Sequence, residues 1–309
     1  MCIFLSRRLF LFILLLTPFV TIPFTVSAAQ IQETTVLQKK LSALETAADG
    51  RIGVSAINTE NGSRIDYRAE ERFPLCSTSK MMVAAAILKQ SMSDKALLQQ
   101  TIPYQKADMT TAWSPITEQH IGEGMTIADL CSAAVSYSDS TAMNLLLNRL
   151  GGPMAVTAFA RSIGDTTFRL DRYEPDLNEA IPGSLRDTST PSAMQNSLQE
   201  LTLGNILAAP QQAQLQTWLK ANTTGAHRIR AGVPATWVVG DKTGSGYYGT
   251  TNDIAVIWPP HCSPIVMAVY FTQNKKEAAA NEVIIAAATR LVLKEFAKND
   301  ECIEEELSK

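Results

Sequence analysis

Apolar residues recur at helical spacing through the middle of this chain and in strand-like runs near its end, which divides it into blocks. Leu41, Leu44 and Ala47 mark a helix over 38–47. Residues 51–56 and 65–68 flank Asn61-Gly62, a pair suited to a tight turn, and predict a hairpin. Beyond Pro74, apolar positions one helical turn apart over 77–92, 126–136, 141–150, 154–163, 192–203 and 210–219 predict an all-helical block, its members separated by Gly, Pro and polar breaks. From Thr236 the pattern turns to Val- and Ile-rich runs at 236–243, 251–258 and 265–271, read as antiparallel strands broken at Gly244-Ser245-Gly246 and Pro259-Pro260. An amphipathic helix over 282–297 follows. Residues 299–309 are acidic, hold Cys302 and show no core to join, so disorder is expected there.

The first helix and hairpin therefore belong with the late strands and helix. The expected fold is α/β (α+β): an antiparallel five-stranded sheet flanked by helices, with an inserted all-α domain. The expected boundaries are 29–72 plus 223–298 for the discontinuous α/β domain, 73–222 for the all-α domain and 299–309 for the acidic tail. The groove between the two domains should hold the site.

At the N-terminus, Arg7 and Arg8 precede an apolar run from Leu9 to Val26, broken by Pro18 and Pro23 and followed by the small residues Ser27 and Ala28. That order reads as a cleavable export signal over 1–28. The run approaches the length of a membrane span, but the prolines and the small-residue site favour cleavage. Residues 6–11 also resemble a twin-arginine signal, which leaves the export route open. A periplasmic or secreted monomer, with no membrane partner once the signal is cut, is the expectation.

A formal charge of −3 and the lack of any basic tract exclude a nucleic-acid footprint and point to a small-molecule substrate. Of five cysteines, Cys2 sits in the signal; Cys76, Cys131, Cys262 and Cys302 contain no C-x-x-C, and their spacing favours none of the three possible pairings, so no disulfide is assigned. The three histidines, His120, His227 and His261, form no zinc-binding pattern. Neither a metal nor a cofactor is expected.

Four short motifs carry the chemistry. In Ser77-Thr78-Ser79-Lys80, a helix beginning near Ser77 puts the Lys80 amine one turn away on the same face, within reach of the serine hydroxyl. A serine needs a base to become a nucleophile, and the free N–H groups of a helix start can face a developing oxyanion. Taken alone, the motif reads more readily as an exposed cap with a solvated lysine. Ser138-Asp139-Ser140 lies between two helical stretches, where a helix N-cap is the simpler reading. In Lys242-Thr243-Gly244-Ser245-Gly246, the glycines let a substrate backbone lie against the strand edge, while Lys242, Thr243 and Ser245 offer donors to an anion. A tight hairpin would be compatible with that. Glu174 and Asn178 sit in a stretch that reads as a loop, and a carboxylate held beside an amide can deprotonate and orient one water.

In this order the four motifs resemble those of the class A serine β-lactamases. The similarity runs from about Gln38 to Ala297 and includes Arg161–Arg172 and Gly240–Gly246. The resemblance implies a β-lactamase/D,D-peptidase-like fold and β-lactam substrates. Ser77 would form an acyl-enzyme, Ser138 would pass a proton to the leaving nitrogen, and Lys80 or Glu174 would be the acylation base. The Ser77 and Ser245 N–H groups would form the oxyanion hole, and Glu174 with Asn178 would activate the deacylating water. Arg172 and Asp187 would pair across the neck of their loop. Lys242, Thr243, Gly244 and Ser245 would bind the substrate carboxylate, Arg228 would offer it a two-pronged partner, and Trp113 would stand at the cleft rim or, alternatively, lie buried in the core.

Two departures from that pattern stand out. Ser140 occupies a position where the family usually has Asn, and its short side chain is expected not to span the reach to Lys80 and to the substrate side-chain carbonyl. Cys76, which bonds a third-strand cysteine in carbapenem-hydrolysing relatives, faces Gly246 here, and Cys131 finds Ala84 where its partner would be. Carbapenem hydrolysis is thereby weakened as an expectation, and Ser245 with Gly246 favours oxyimino-cephalosporins. A D,D-peptidase would lack the Glu174/Asn178 water site, and a β-lactam sensor would keep a membrane segment and a signalling domain.

Overall fold

The computed structural model describes residues 28–309. The expected export signal therefore lies outside the described residues. Helix α1 (Ala28–Ala47) leads into β1 (Gly50–Asn58) and β2 (Arg64–Tyr67); the short β3 (Phe73–Pro74) then delivers the chain to the helical block. That block comprises α2 (Ser79–Ser91), the β4/β5 pair (Thr101–Ile102, Met125–Thr126), α3 (Ile127–Ser136), α4 (Ser140–Leu150) and α5 (Pro153–Ser162). It continues with β6 (Thr188–Ser189), α6 (Pro191–Thr202) and α7 (Ala209–Lys220). The chain returns as β7 (Val238–Ser245), β8 (Thr251–Trp258), β9 (Ile265–Gln273), α8 (Glu282–Phe296) and α9 (Glu301–Ser308).

The sheet has the order β2-β1-β9-β8-β7, each neighbour antiparallel. Its central strands are buried on both faces, which is why 254–258 and 265–271 are unbroken apolar runs where a half-exposed strand would alternate. Ile52, Val54, Ala255, Met267 and Val269 meet α1, α8 and α9 on one face. Ile254, Val256, Val266, Ala268 and Tyr270 meet the helical block on the other. Within that block α2 is buried almost all round, as expected of a central helix, and it carries Lys80 into the interior. Local capping starts the surrounding helices: Thr126 accepts from the Asp129 N–H, Asp139 from Ala142 and Thr190 from Ala193.

The tail departs from expectation. Residues 301–308 form α9, capped by Asp300, whose other carboxylate oxygen accepts from Asn58 Nδ2 at 2.5 Å. Ile303 is fully buried and Leu307 packs beside it, while Glu301, Glu304 and Glu305 form the solvent side of an amphipathic helix. Cys302 is disulfide-bonded to Cys262 in the β8–β9 connection, a pairing that cysteine spacing alone does not single out. Cys76 and Cys131 are free and buried. Among the described residues no helix is long and apolar enough to cross a membrane.

Candidate active site

Ser77 lies in a single 3-10 turn (Cys76–Thr78) that precedes α2, so the helix starts two residues later than its spacing suggested. The turn is entered through Cys76 at φ +47°. Lys80, one turn on and with no exposed surface, places Nζ 3.1 Å from Ser77 Oγ. The same ammonium donates to the Ser138 carbonyl at 2.7 Å and approaches Glu174 Oε1 at 2.9 Å. Glu174 Oε1 is itself 3.5 Å from Ser77 Oγ. A partly exposed serine hydroxyl is thus flanked by a lysine and a carboxylate that touch each other, both buried.

The 138–140 motif is both a cap and part of the site. Asp139 caps α4 and accepts from Thr117 and from the Ile116 N–H, fixing the loop beneath it. Ser138, at φ +58°, turns its hydroxyl between two lysines: Lys242 Nζ donates at 3.1 Å and Lys80 lies 3.5 Å away. Ser140 corrects an expectation, because Lys80 Nζ reaches its hydroxyl at 3.3 Å; the short side chain does contact the lysine. Trp113 is 67% exposed, which excludes the core alternative; its indole donates to the Tyr137 carbonyl and its own carbonyl receives the Ser140 N–H.

Glu174 and Asn178 come together across a 3-10 turn (Asp176–Asn178), with Asn178 Nδ2 donating to Glu174 Oε2. Asn178 Oδ1 is buried and accepts from no protein donor. The loop is pinned at its neck: Arg172 Nε donates to Asp187 Oδ2 at 2.6 Å, a terminal nitrogen reaches Glu179, and the Asp187 carbonyl receives the Leu75 N–H at 2.8 Å. Asn144 fastens the catalytic end, accepting from the Glu174 N–H at 2.9 Å and donating to its carbonyl at 3.0 Å. Asn144 was missed from the sequence, although it lies four residues after Ser140 and hence on the same helix face.

On β7, Lys242 is fully buried; burial, and then the charge of Lys80, push its ammonium well below the ordinary lysine range. Thr243 exchanges a hydroxyl hydrogen bond with Thr224. The glycines also serve a purpose beyond the one expected. A Cβ on Gly244 would meet the Leu75 carbonyl at 2.8 Å, and one on Gly246 would meet Cys76 Sγ and the Asn178 carbonyl at 2.7 Å, so their bareness admits the nucleophile's turn and the Glu174 loop. Arg228 needs a correction. Its Nε donates to Glu282, Nη1 to the Gly244 and Asn252 carbonyls, and Nη2 to Ser245 Oγ at 2.7 Å, so no free two-pronged face remains and it reaches the groove through Ser245. Behind it, Asp253 is buried with Oδ1 unpartnered; burial, and then the nearby Asp241, push its carboxyl well above the usual range.

The sequence model of the family described as "Beta-lactamase enzyme family" matches residues 36–296. The chain belongs to that family. This β-lactamase is 56% identical over 283 residues to beta-lactamase CTX-M-97 of Escherichia coli, covering 91% of this chain and 97% of that one. It is 57% identical over 266 residues to beta-lactamase OXY-2 of Klebsiella oxytoca, with 86% and 91% covered, and 58% identical over 260 residues to a beta-lactamase of Citrobacter koseri, with 84% and 88% covered. The helix α9 and its cysteine lie beyond the matched family segment.

Proposed function

We propose that this β-lactamase opens the β-lactam amide of penicillins and oxyimino-cephalosporins through a Ser77 acyl-enzyme and clears it with a water primed by Glu174. The observation that carries the reading is the triangle of a partly buried Ser77 with the buried Lys80 and Glu174, with sides of 3.1, 2.9 and 3.5 Å. The Ser77 proton leaves toward the Lys80–Glu174 pair as Oγ attacks the lactam carbonyl. Ser138, whose hydroxyl bridges Lys80 and Lys242, gives its proton to the departing nitrogen and is reprotonated from Lys80. The Ser77 and Ser245 N–H groups hold the oxyanion; losing one such donor typically costs about 10²- to 10³-fold in rate. Glu174 then takes a proton from a water that attacks the ester, the Asn178 amide orienting the pair, and Ser77 recovers its proton as the product acid leaves.

Lys242, Thr243 and Ser245 bind the substrate carboxylate, Gly244 sets the spacing between β7 and the nucleophile, and Arg228 holds Ser245 from behind. Ser140 and Trp113 line the opposite wall. No metal or cofactor takes part in this reading. The division into an α/β domain (29–72 with 223–298) and an all-α domain (73–222) is supported by the two apolar clusters on opposite faces of the sheet. Export of the cleaved monomer to the periplasm would put it in the path of such antibiotics, and the Cys262–Cys302 bond suits an oxidising compartment.

The test is Glu174→Gln. Removing a general base typically costs about 10²- to 10⁴-fold. With benzylpenicillin, mass spectrometry should find the intact ester on Ser77 while steady turnover collapses; hydrolysis at the parent rate would sink the deacylation half of the proposal.

A further inference from the structure

Behind the loop that carries Glu174 lies a cavity of about 430 Å³, walled by residues 180–185 and 188 of that loop and by the ends of β1 and β9. Its floor holds two arginines and no carboxylate. Arg51 is committed: it pairs with Glu71 at 2.8 Å and stacks 3.9 Å over the Phe73 ring. Arg72 is not. Among the described residues only its Nη1 is engaged, by the Thr167 carbonyl and Thr188 Oγ1, each at 3.0 Å; Nε and Nη2 meet no acceptor there, and no carboxylate there lies within ion-pair distance. The same cavity is lined by Ile181 and Leu185, both apolar and exposed, and by Pro74 and Pro182. A planar cation without a carboxylate partner and exposed apolar side chains, lining one cavity within the volume range of small-ligand sites, have a definite chemical complement.

We propose that this cavity is a second binding site, for a small organic carboxylate bearing an apolar group, and that its occupancy tunes deacylation. The carboxylate pairs with the free edge of Arg72, and the apolar group covers Ile181 and Leu185. Coupling to the active site follows from short covalent paths. Residues 180–185 continue directly from Asn178 and Glu179, and Thr188 pairs with Pro74, three residues before Ser77. Asp187, beside the wall, holds Arg172 and the Leu75 N–H. A ligand that fixes the wall therefore fixes the loop on which Glu174 and Asn178 depend. The coupling rests on the role proposed for Glu174; the binding does not.

Binding is measured by amide chemical shifts on Ser77→Ala protein, with phenylacetate as probe and phenylacetamide as its neutral counterpart. Saturable shifts should centre on residues 180–188 and 272–274, with the amide at least tenfold weaker. Leu185→Glu, on an exposed side chain that makes no hydrogen bond, should also weaken phenylacetate at least tenfold while leaving basal nitrocefin turnover within twofold. Absence of saturation, equal binding of the amide, or shifts centred on Ser138 and Lys242 would overturn the site. In the parent enzyme, saturating phenylacetate should change single-turnover deacylation of benzylpenicillin at least twofold; an unchanged rate would overturn the coupling and leave the Glu174→Gln test untouched.

Discussion

Replacing Cys302 with Ser cuts the bond that ties α9 to the β8–β9 connection. The bridged residues are 40 apart in sequence, and closing a loop of that length removes about 4 kcal/mol of chain entropy from the unfolded state at 25 °C. The folded state should survive, because the buried Ile303 and the Asn58–Asp300 hydrogen bond hold the helix without help from sulfur. The loss then falls on the unfolded side. At about 2–4 °C per kcal/mol for a chain of this size, the melting temperature should drop by roughly 8–16 °C. Calorimetry on oxidised parent, phosphine-reduced parent and Cys302→Ser should give one high and two matching low values. Activity at 25 °C should stay within twofold, since the hydrogen bonds around Ser77 run through other residues. If reduction moved the melting temperature by less than about 2 °C, the entropic reasoning would fail.

Ser140→Asn keeps a partner for Lys80 and adds a carboxamide to the groove; one extra hydrogen bond of about 1 kcal/mol would raise kcat/KM for benzylpenicillin about fivefold, and an unchanged or lower value contradicts the assignment. Asp253 has its carboxyl pKa raised above the ordinary 3.8, so it contributes stability that is complete below that value and is lost as pH rises through the folded pKa. Urea unfolding of parent and Asp253→Asn should accordingly show the parent's relative stability falling with pH above about 4, by up to about 1.4 kcal/mol per unit, and a flat difference from pH 4 to 8 excludes the raised carboxyl. Gly246→Cys should bond Cys76, since a Cβ there lies 2.7 Å from its sulfur, and thiol titration of the signal-free, denatured protein should fall from two groups to one. The same Cβ crowds the Asn178 carbonyl, so deacylation should slow; three titratable thiols at the parent rate would count against the contact.

The sheet was legible because β-branched runs at 251–258 and 265–271 admit little else, and the Ser77–Lys80 contact because three residues make one helical turn. Pro74 and the polar breaks likewise put the helical block where it lies. What escaped was decided by neighbours distant in the chain. Ile303 and Leu307 carry a helical stripe, but its meaning depends on the sheet face that receives it. Arg228 looked like a free anion partner until the carbonyls of Gly244 and Asn252 claimed its donors. Gly244 and Gly246 show why a bare position is ambiguous in one dimension: the object it makes room for, here the turn of Leu75 and Cys76, is invisible until the strands are laid down.

The pairing of β1 with β9, running from Gly50 opposite Gln273 to Asn58 opposite Ile265, sets an order on the birth of the molecule. An emerging polypeptide offers its earliest strand long before the mate that flanks it has been made, and the intervening helices must wait without the platform they rest on. Contacts so remote close slowly. Any shortened product ending before residue 265 would lack the middle of the sheet, so antibiotic resistance from this gene is an all-or-nothing yield of finished chains.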